Sequence, residues 1–554
     1  MAACALYQGT RLHRRQEKGR NMLVDQRSSG IICHPTSLPG RFGVGDLGPQ
    51  AWRFVDFLES TGQTLWQVLP LGPTGYGNSP YMTLSAFAGN PLLISPEALA
   101  RDGLLEFSEI ANPPVFNRRR VQYGRVHDYK EALFRRAYER FSQRGNDSEF
   151  EAFCEQNAGW LDDYAFFKVL KEAHEQRVWS AWEPELVRRE PGVMAEWRDA
   201  LTDGIRMQKF LQWAFFRQWK ALLQYAHSKG VQIIGDIPIY VAYDSADVWA
   251  NQHLFRLDAD GRPEVVAGVP PDYFSATGQR WGNPIYRWGE IRKERYRWWV
   301  ERFRTEFTKC DILRVDHFRG FEAFWEIDAR EETAVNGRWV KGPGAELFHT
   351  VRSALAASGI ELRIIAEDLG VITSQVDALR DELGFPGMRV LQMAFGNEPR
   401  APEYRPHNHA PDSVVYTATH DHNTTLGWFT ARPGTQSTQS PEEIEAERAF
   451  VRRYVGTDGR EIHWDFIRLA LGSVAWMALF PLQDVLGLGG EARMNRPGSG
   501  DGNWEWRFTS DALTPAIRER LAELTDTFDR SPAATRQARD RSVLPEIAPV
   551  AVEC

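Results

Sequence analysis

Eight short runs of apolar and β-branched residues constrain this chain more than any other feature. They are GIICH at 30–34, TLWQVLP at 64–70, VQIIGD at 231–236, DILRVD at 311–316, LRIIAED at 362–368, RVLQMAF at 389–395, SVVYTATHD at 413–421 and LFPLQDVLG at 479–487. Stretches with helical spacing lie between them. In FLQWAFFRQWKALLQYAHSKG (210–230), Phe210, Ala214, Phe215, Leu222 and Ala226 fall largely on one face, and Gly230 closes the end. Eight strands alternating with helices predict an α/β fold, a closed (β/α)8 TIM barrel spanning 27–530.

The spacing of the runs is uneven. About 160 residues separate the second from the third, far more than a βα loop needs, so a mostly helical insertion is expected at about 92–205. A second excess, about 75 residues before the fourth run, is dense in Gly, Pro and aromatics and is expected to form a roof over about 240–290. Both leave from carboxyl ends of strands, where ligands bind in such barrels, so both should wall the working face. Residues 1–26 read as a flexible leader and 531–554 as a flexible tail. The first twenty residues have no apolar stretch suited to a signal peptide, and the longest apolar run, 469–480, is too short to span a bilayer.

Composition narrows the class of partner. A net charge of −8 without long basic runs offers no footprint for nucleic acid or an anionic membrane. Five scattered cysteines, odd in number and without Cys-x-x-Cys spacing, suggest neither a disulfide framework nor a zinc site, which fits a reducing cytoplasm.

The chemistry sits at the strand ends. In DILRVDHFRG (311–320), strand alternation puts Ile312, Arg314 and Asp316 on one side and Leu313 and Val315 on the other. If the latter pair faces an outer helix, Arg314 and Asp316 point into the barrel. Asp316, Glu367 and Asp421 fall at the ends of predicted strands four, five and seven and would meet at one mouth. Carboxylates gathered beneath aromatics suit glycosidic bond chemistry, in which one attacks, one protonates the leaving oxygen, and fixed negative charge faces an oxocarbenium-like transition state. Arg314 would keep Asp316 ionised, whereas Glu367, desolvated between two other carboxylates, would keep a proton near neutrality. Plainer roles exist for each motif taken alone: a structural ion pair for Arg314 and Asp316, a turn-capping carboxylate for Glu367, a polar turn or a metal site for THDHNT. His420 and His422 flank Asp421, but a third ligand at useful spacing is not evident, so no metal is expected. No phosphate-cradling glycine loop follows a strand.

Longer stretches carry a resemblance. HPTSLPGRFGVGDLG (34–48), LPLGPTGYGNSPY (69–81), SAFAGNP (85–91), GDIPIYVAYDSADVW (235–249), GVPPDYFSATGQRWGNPIY (268–286), RVDHFRG, AEDLG, THDHNTTLGW and ARMNRPGSGDGNWEWRF (492–508) resemble the amylomaltases, the 4-α-glucanotransferases of glycoside hydrolase family 77. The resemblance implies transfer of α-1,4-glucan segments by a retaining double displacement, with cycloamylose as one product class, no cofactor, and a monomeric enzyme. Asp316 would be the nucleophile, Glu367 the general acid and later base, and Asp421 the residue that holds sugar hydroxyls in the −1 subsite. Arg314 would position Asp316, while Asp236, His317 and His420 would line that subsite. Tyr81 would give the −1 sugar a stacking platform, and Tyr76 belongs with a secondary glucan groove. Asp272, Tyr273 and Phe274 would arch over the cleft, supported by Trp281 and Asn283. The chain departs from the family pattern at His422-Asn423, where Asn-Asp is usual, and at Met82, where glutamine is usual; both bear on acceptor preference. A retaining hydrolase shares this chemistry, differing only in what attacks the intermediate, and a non-catalytic glucan-binding protein would share the cleft. For retention, the nearest oxygens of Asp316 and Glu367 are expected roughly 5–5.5 Å apart.

Overall fold

The computed structural model describes residues 26–533, apart from 146, 272–274, 276 and 433–438, together with the backbone but not the side chain of Tyr76. The leader expected at 1–26 and the tail expected at 531–554 therefore lie outside the described residues, save Gln26 and 531–533. So do Asp272, Tyr273 and Phe274.

Eight parallel strands close into a barrel in chain order: β1 (Ser28–Ile32), β2 (Leu65–Gln67), β3 (Gln232–Pro238), β4 (Ile312–Asp316), β5 (Ile364–Ala366), β6 (Gly387–Val390), β7 (Ser413–Tyr416) and β8 (Met477–Pro481), which pairs back to β1. Each expected run supplies one strand, as the alternation predicts. Most strands are shorter than their runs, and for the sixth and eighth the cause is local chemistry. The sixth strand starts earlier than expected, at Gly387, where the Asp368 carboxylate lies where a Cβ would stand and Asp368 Oδ1 accepts the Met388 N–H at 2.7 Å. Its expected second half becomes a 3-10 turn, Leu391–Met393. The eighth ends at Pro481, which brings no N–H to the ladder, and LQDV continues as a short helix, Leu482–Val485.

Outer helices include Pro49–Ser60, Arg297–Glu306, Ala345–Ala356, Ser374–Leu383 and Ile462–Gly472. The helix Thr202–Ser228 buries the five expected positions, and Gly230 follows it with φ 73°. It also buries Gln208, Leu211, Gln212 and Trp213, because helix Ser148–Ala173 packs on its other side. Gln208 bonds Glu172 of that helix at 3.2 Å, whereas Gln212 holds the loop after β2: its amide donates to Gly89 O (3.0 Å) and its oxygen accepts the Gly89 N–H (2.8 Å), so no polar atom of the Gln212–Gly89 pair is stranded.

The region read as a roof is built differently from the loop that was expected. Val265–Val269 and Gln279–Pro284 are strands, and with Ala323–Asp328 and Gly337–Lys341 they form a four-stranded antiparallel sheet. The sequence hid it because the strands carry glycine at close approaches. A Cβ on Gly268 would stand 2.2 Å from Gln279 O, and the pairing is bulged between Val266 and Gly268. Glu326, buried at the centre of the sheet, is held by Arg256 and Arg338, each at 2.6 Å. The sheet grows from the segments that follow β3 and β4, so it stands at the carboxyl end of the barrel.

Candidate active site

Parallel register decides which side chains meet. Asp236 on β3 lies directly opposite Arg314 on β4, and both are buried, at 2% and 3% exposure. Arg314 Nη1 reaches both carboxylate oxygens of Asp236, at 2.9 and 2.7 Å, and Nη2 reaches Asp316 Oδ1 at 2.9 Å. One guanidinium thus bridges two carboxylates. The sequence reading paired Arg314 with Asp316 alone; the strand-to-strand partner is invisible without the register. Burial pushes the Asp236 carboxyl up to about 6 while Arg314 opposes it, so the group is ionised at neutrality. Tyr81, from the loop after β2, adds an O–H donated to Asp236 Oδ2 at 2.8 Å.

Glu367 follows β5 and is fixed by two main-chain donors, the N–H of His317 to Oε2 (2.7 Å) and of Leu369 to Oε1 (2.8 Å). The second bond is the turn-capping role considered from sequence. The first depends on His317 taking the left-handed conformation, φ 52° and ψ 49°, directly after Asp316, which turns the chain so that its amide faces the glutamate. A non-glycine residue held there is strained. Burial first, and the Asp316 charge second, push the Glu367 carboxyl up to about 7, against the opposing pull of Arg314 and the two backbone bonds. Trp281, on Gln279–Pro284, stands edge-on to the His317 ring at 4.9 Å. Asn283, on the same strand, is buried and gives its amide to Val241 O at 2.8 Å and to Met82 Sδ at 3.6 Å.

Asp421 comes from the segment after β7. Its recessed position works against ionisation, but His420 Nε2 at 3.2 Å from Oδ2 and the Asn495 amide at 2.6 Å from Oδ1 outweigh that, and its carboxyl sits well below the usual carboxylate range. His420 stacks on Tyr81, ring centroids 4.9 Å apart, so one face of the ring expected to carry a sugar is taken by imidazole. His422 turns instead to the Thr419 hydroxyl at 2.8 Å, and burial pushes it down to about 4. The two histidines do not converge, and among the described residues no group of three His, Cys, Asp or Glu side chains is arranged to hold a metal ion.

Asp236, Arg314, Asp316, His317, Glu367, Tyr81, His420 and Asp421 therefore form one connected cluster, with Trp281 against its rim. Tyr76 begins a 3-10 turn, Tyr76–Asn78, and its side chain lies outside what the structure describes. Three participants escaped the sequence reading: Asn495; Arg493, which donates to Asp421 O at 2.6 Å; and Trp504, 5.8 Å from the Tyr81 ring. All lie in 492–508, a stretch already conspicuous for its resemblance, but a neutral amide some seventy residues from its partner carries no pattern of its own.

Comparison with known proteins places the chain among relatives. The profile of glycoside hydrolase family 77, described as 4-alpha-glucanotransferase, matches residues 33–514. The 4-alpha-glucanotransferase of Synechocystis is 46% identical over 514 residues, 92% of this chain and 99% of that protein. The one from Thermus thermophilus is 46% identical over 515 residues, 91% and 99%. Among solved structures, amylomaltase from Streptococcus agalactiae in complex with acarbose has a TM-score of 0.85 at 35% identity, covering 91% of this chain and all of that one. Amylomaltase from Corynebacterium glutamicum, at 19% identity with a TM-score of 0.72 and coverage of 91% and 75%, shares the fold.

Proposed function

Since this chain belongs to glycoside hydrolase family 77, the 4-alpha-glucanotransferases, and carries that activity, we propose that it moves segments of α-1,4-glucan from a donor to a maltooligosaccharide or glucose acceptor by retaining double displacement. Asp316, its Oδ1 held by Arg314, attacks the anomeric carbon through Oδ2. The C1–O bond breaks as Glu367 gives its proton to the departing sugar oxygen, and a C1–Oδ ester forms on Asp316. In the second half, Glu367 takes the proton of an acceptor hydroxyl, that oxygen attacks C1, and the ester is released with the original anomeric configuration restored. Asp421 and His420, together with Asp236 and His317, hold the hydroxyls of the −1 sugar, and Tyr81 offers it the ring face not occupied by His420.

The observation that carries this reading is the opposite treatment of neighbouring carboxyls. Asp316 is tied to a guanidinium, whereas Glu367 receives only neutral donors and is pushed up to about 7. That split is what separates a nucleophile from an acid. The roof expected over about 240–290, with Asp272, Tyr273, Phe274, Trp281 and Asn283, and the groove at Tyr76, belong to the same proposal as guides for donor and acceptor chains. The enzyme is proposed to be monomeric and cytoplasmic, to need no cofactor, and to act on maltooligosaccharides and starch or glycogen fragments. In support, Cys33, Cys154 and Cys310 are free, and no helix among the described residues is long and apolar enough to cross a membrane.

Maltotriose given to the pure protein tests the reading. Glucose plus a ladder of longer maltooligosaccharides, with little net gain in reducing ends, is expected. Reducing ends that accumulate steadily without longer products would replace the transferase with a hydrolase.

A further inference from the structure

The segment 417–425 carries His420 and Asp421 into the cleft, yet it begins where β7 has ended and is not itself strand or helix until Thr425. Its two ends converge on one side chain. Asp484, in the short helix after β8 and fully buried, accepts the Thr417 hydroxyl at Oδ2 (2.7 Å). It also accepts the Thr425 N–H at Oδ1 (2.7 Å) and the Thr425 hydroxyl at Oδ2 (2.7 Å). Thr417 and Thr425 are themselves fully buried. No cation is paired with Asp484 among the described residues; its partners are neutral donors. A carboxylate in the interior without a countercharge is costly to keep, and an apolar residue would fill the space at less cost. What Asp484 provides is geometry: three short bonds that fix the distance between the start and the finish of a nine-residue segment.

We propose that Asp484 is a positioning residue for the transfer reaction, clamping both ends of 417–425 so that His420 and Asp421 stand at fixed places in the −1 site. This rests on the role proposed above for Asp421. The clamp works with a second one on the outer side, where Arg493 donates to Asp421 O and Asn495 N donates to His420 O at 3.1 Å. Gln392 adds a bond to Asn423 O at 2.9 Å. Remove Asp484 and the outer contacts remain, but the segment can shift along its own length. A misplacement of about 1 Å in a reacting constellation costs on the order of 100-fold in rate.

The test is Asp484→Asn, which preserves shape and one acceptor, assayed on maltotriose across pH alongside Asp421→Asn. Expected is a fall in kcat of about 100-fold with KM little changed. The groups that face the Asp421 carboxylate are His420, Asn495, Arg314 and Arg493, with His422 beside them. His420 moves with Asp421 on the same segment, so the contact that loosening draws apart is that of Asp421 with the Asn495 amide. The alkaline limb should stay, because Glu367 is held by His317 N and Leu369 N on other segments. Folded Asp484→Asn with unchanged kcat overturns the proposal, as does a loss that only tracks the folded fraction. Should that variant not fold, Thr417→Val removes one donor and leaves the carboxylate; a smaller fall in kcat with KM little changed is expected, and wild-type behaviour overturns the proposal equally. If Asp421→Asn is as active as wild type, it is the site reading that fails.

Discussion

Replacing Glu367 with glutamine should abolish transfer and yet make the protein more stable above neutral pH. The folded state raises this carboxyl from 4.5 to about 7, so between those values the native protein binds a proton that the unfolded chain has released. Stability therefore falls as pH rises through that window, and the full penalty applies above it. At 1.36 kcal/mol for each tenfold change in proton affinity, the penalty is roughly 3 kcal/mol. Glutamine does not titrate and escapes it. It has a single carbonyl for the two N–H groups of His317 and Leu369 that the carboxylate accepts, and losing one such bond costs about 1 kcal/mol. The variant should be about 1 kcal/mol less stable than wild type near pH 4, cross it around pH 5 to 6, and be about 2 kcal/mol more stable at pH 8. Urea unfolding followed by circular dichroism at pH 4.5, 6 and 8 reads the difference directly. A wild type favoured at pH 8, or a difference that does not vary with pH, would show that Glu367 is not held protonated by its surroundings.

Other expectations follow from the same contacts. Asp316→Asn should lower kcat on the order of 10⁴-fold, with the helical far-ultraviolet signal intact; substantial residual turnover of maltotriose would move the nucleophile elsewhere. Asn495→Ala removes the 2.6 Å donor to Asp421 Oδ1 and should cost about 10- to 100-fold in kcat/KM, as for a hydrogen bond to a charged group; a change below about twofold would free Asp421 from that partner. Gln212→Leu leaves both main-chain polar atoms of Gly89 without their side-chain partner and should destabilise the protein by about 2–4 kcal/mol while leaving the pH profile of the folded enzyme unaltered, which thermal melts and initial rates together will show.

The barrel was legible because a strand buried on both faces leaves a compact apolar run, and eight such runs separated by helical sequence permit few alternatives. The three acids stood out for a related reason: each is charged where such a run would otherwise continue apolar, although an ion pair or a turn cap explains a single one taken alone. What stayed hidden was everything that depends on a second segment. Arg314 could be assigned to Asp316 from strand alternation, but its closer engagement with Asp236 follows from the β3–β4 register, which no local pattern encodes. Asn495 and Arg493 reach Asp421 from beyond β8. The antiparallel sheet over the cleft was obscured by Gly268 and by strands rich in polar and aromatic residues, whose β character comes from cross-strand pairing more than from composition. The left-handed turn at His317 is equally silent in sequence, since histidine shows no general preference strong enough to announce it.

Arg314 gives the cluster a charge balance that serves both halves of the reaction. With the Asp236 and Asp316 carboxyls on either side of it, one guanidinium already faces two acidic groups. A charge at Glu367 would be unsupported: burial first, and the charge of Asp316 second, keep the proton there before reaction. Forming the glucosyl ester makes Asp316 neutral. The contribution that Asp316 makes to raising Glu367 then vanishes, while the opposing pull of Arg314 and of the His317 and Leu369 amides persists. Glu367 has by then given its proton away, and nothing in the changed field drives it to recover one, so it stands as a base toward the acceptor hydroxyl. The same residue is thus an acid while its neighbour is charged and a base while its neighbour is esterified, with no movement of the backbone that holds it. An infrared carboxylate band from Glu367 that appears on trapping the ester at neutral pH, and is absent from the free enzyme below pH 6, is the spectroscopic form of that argument.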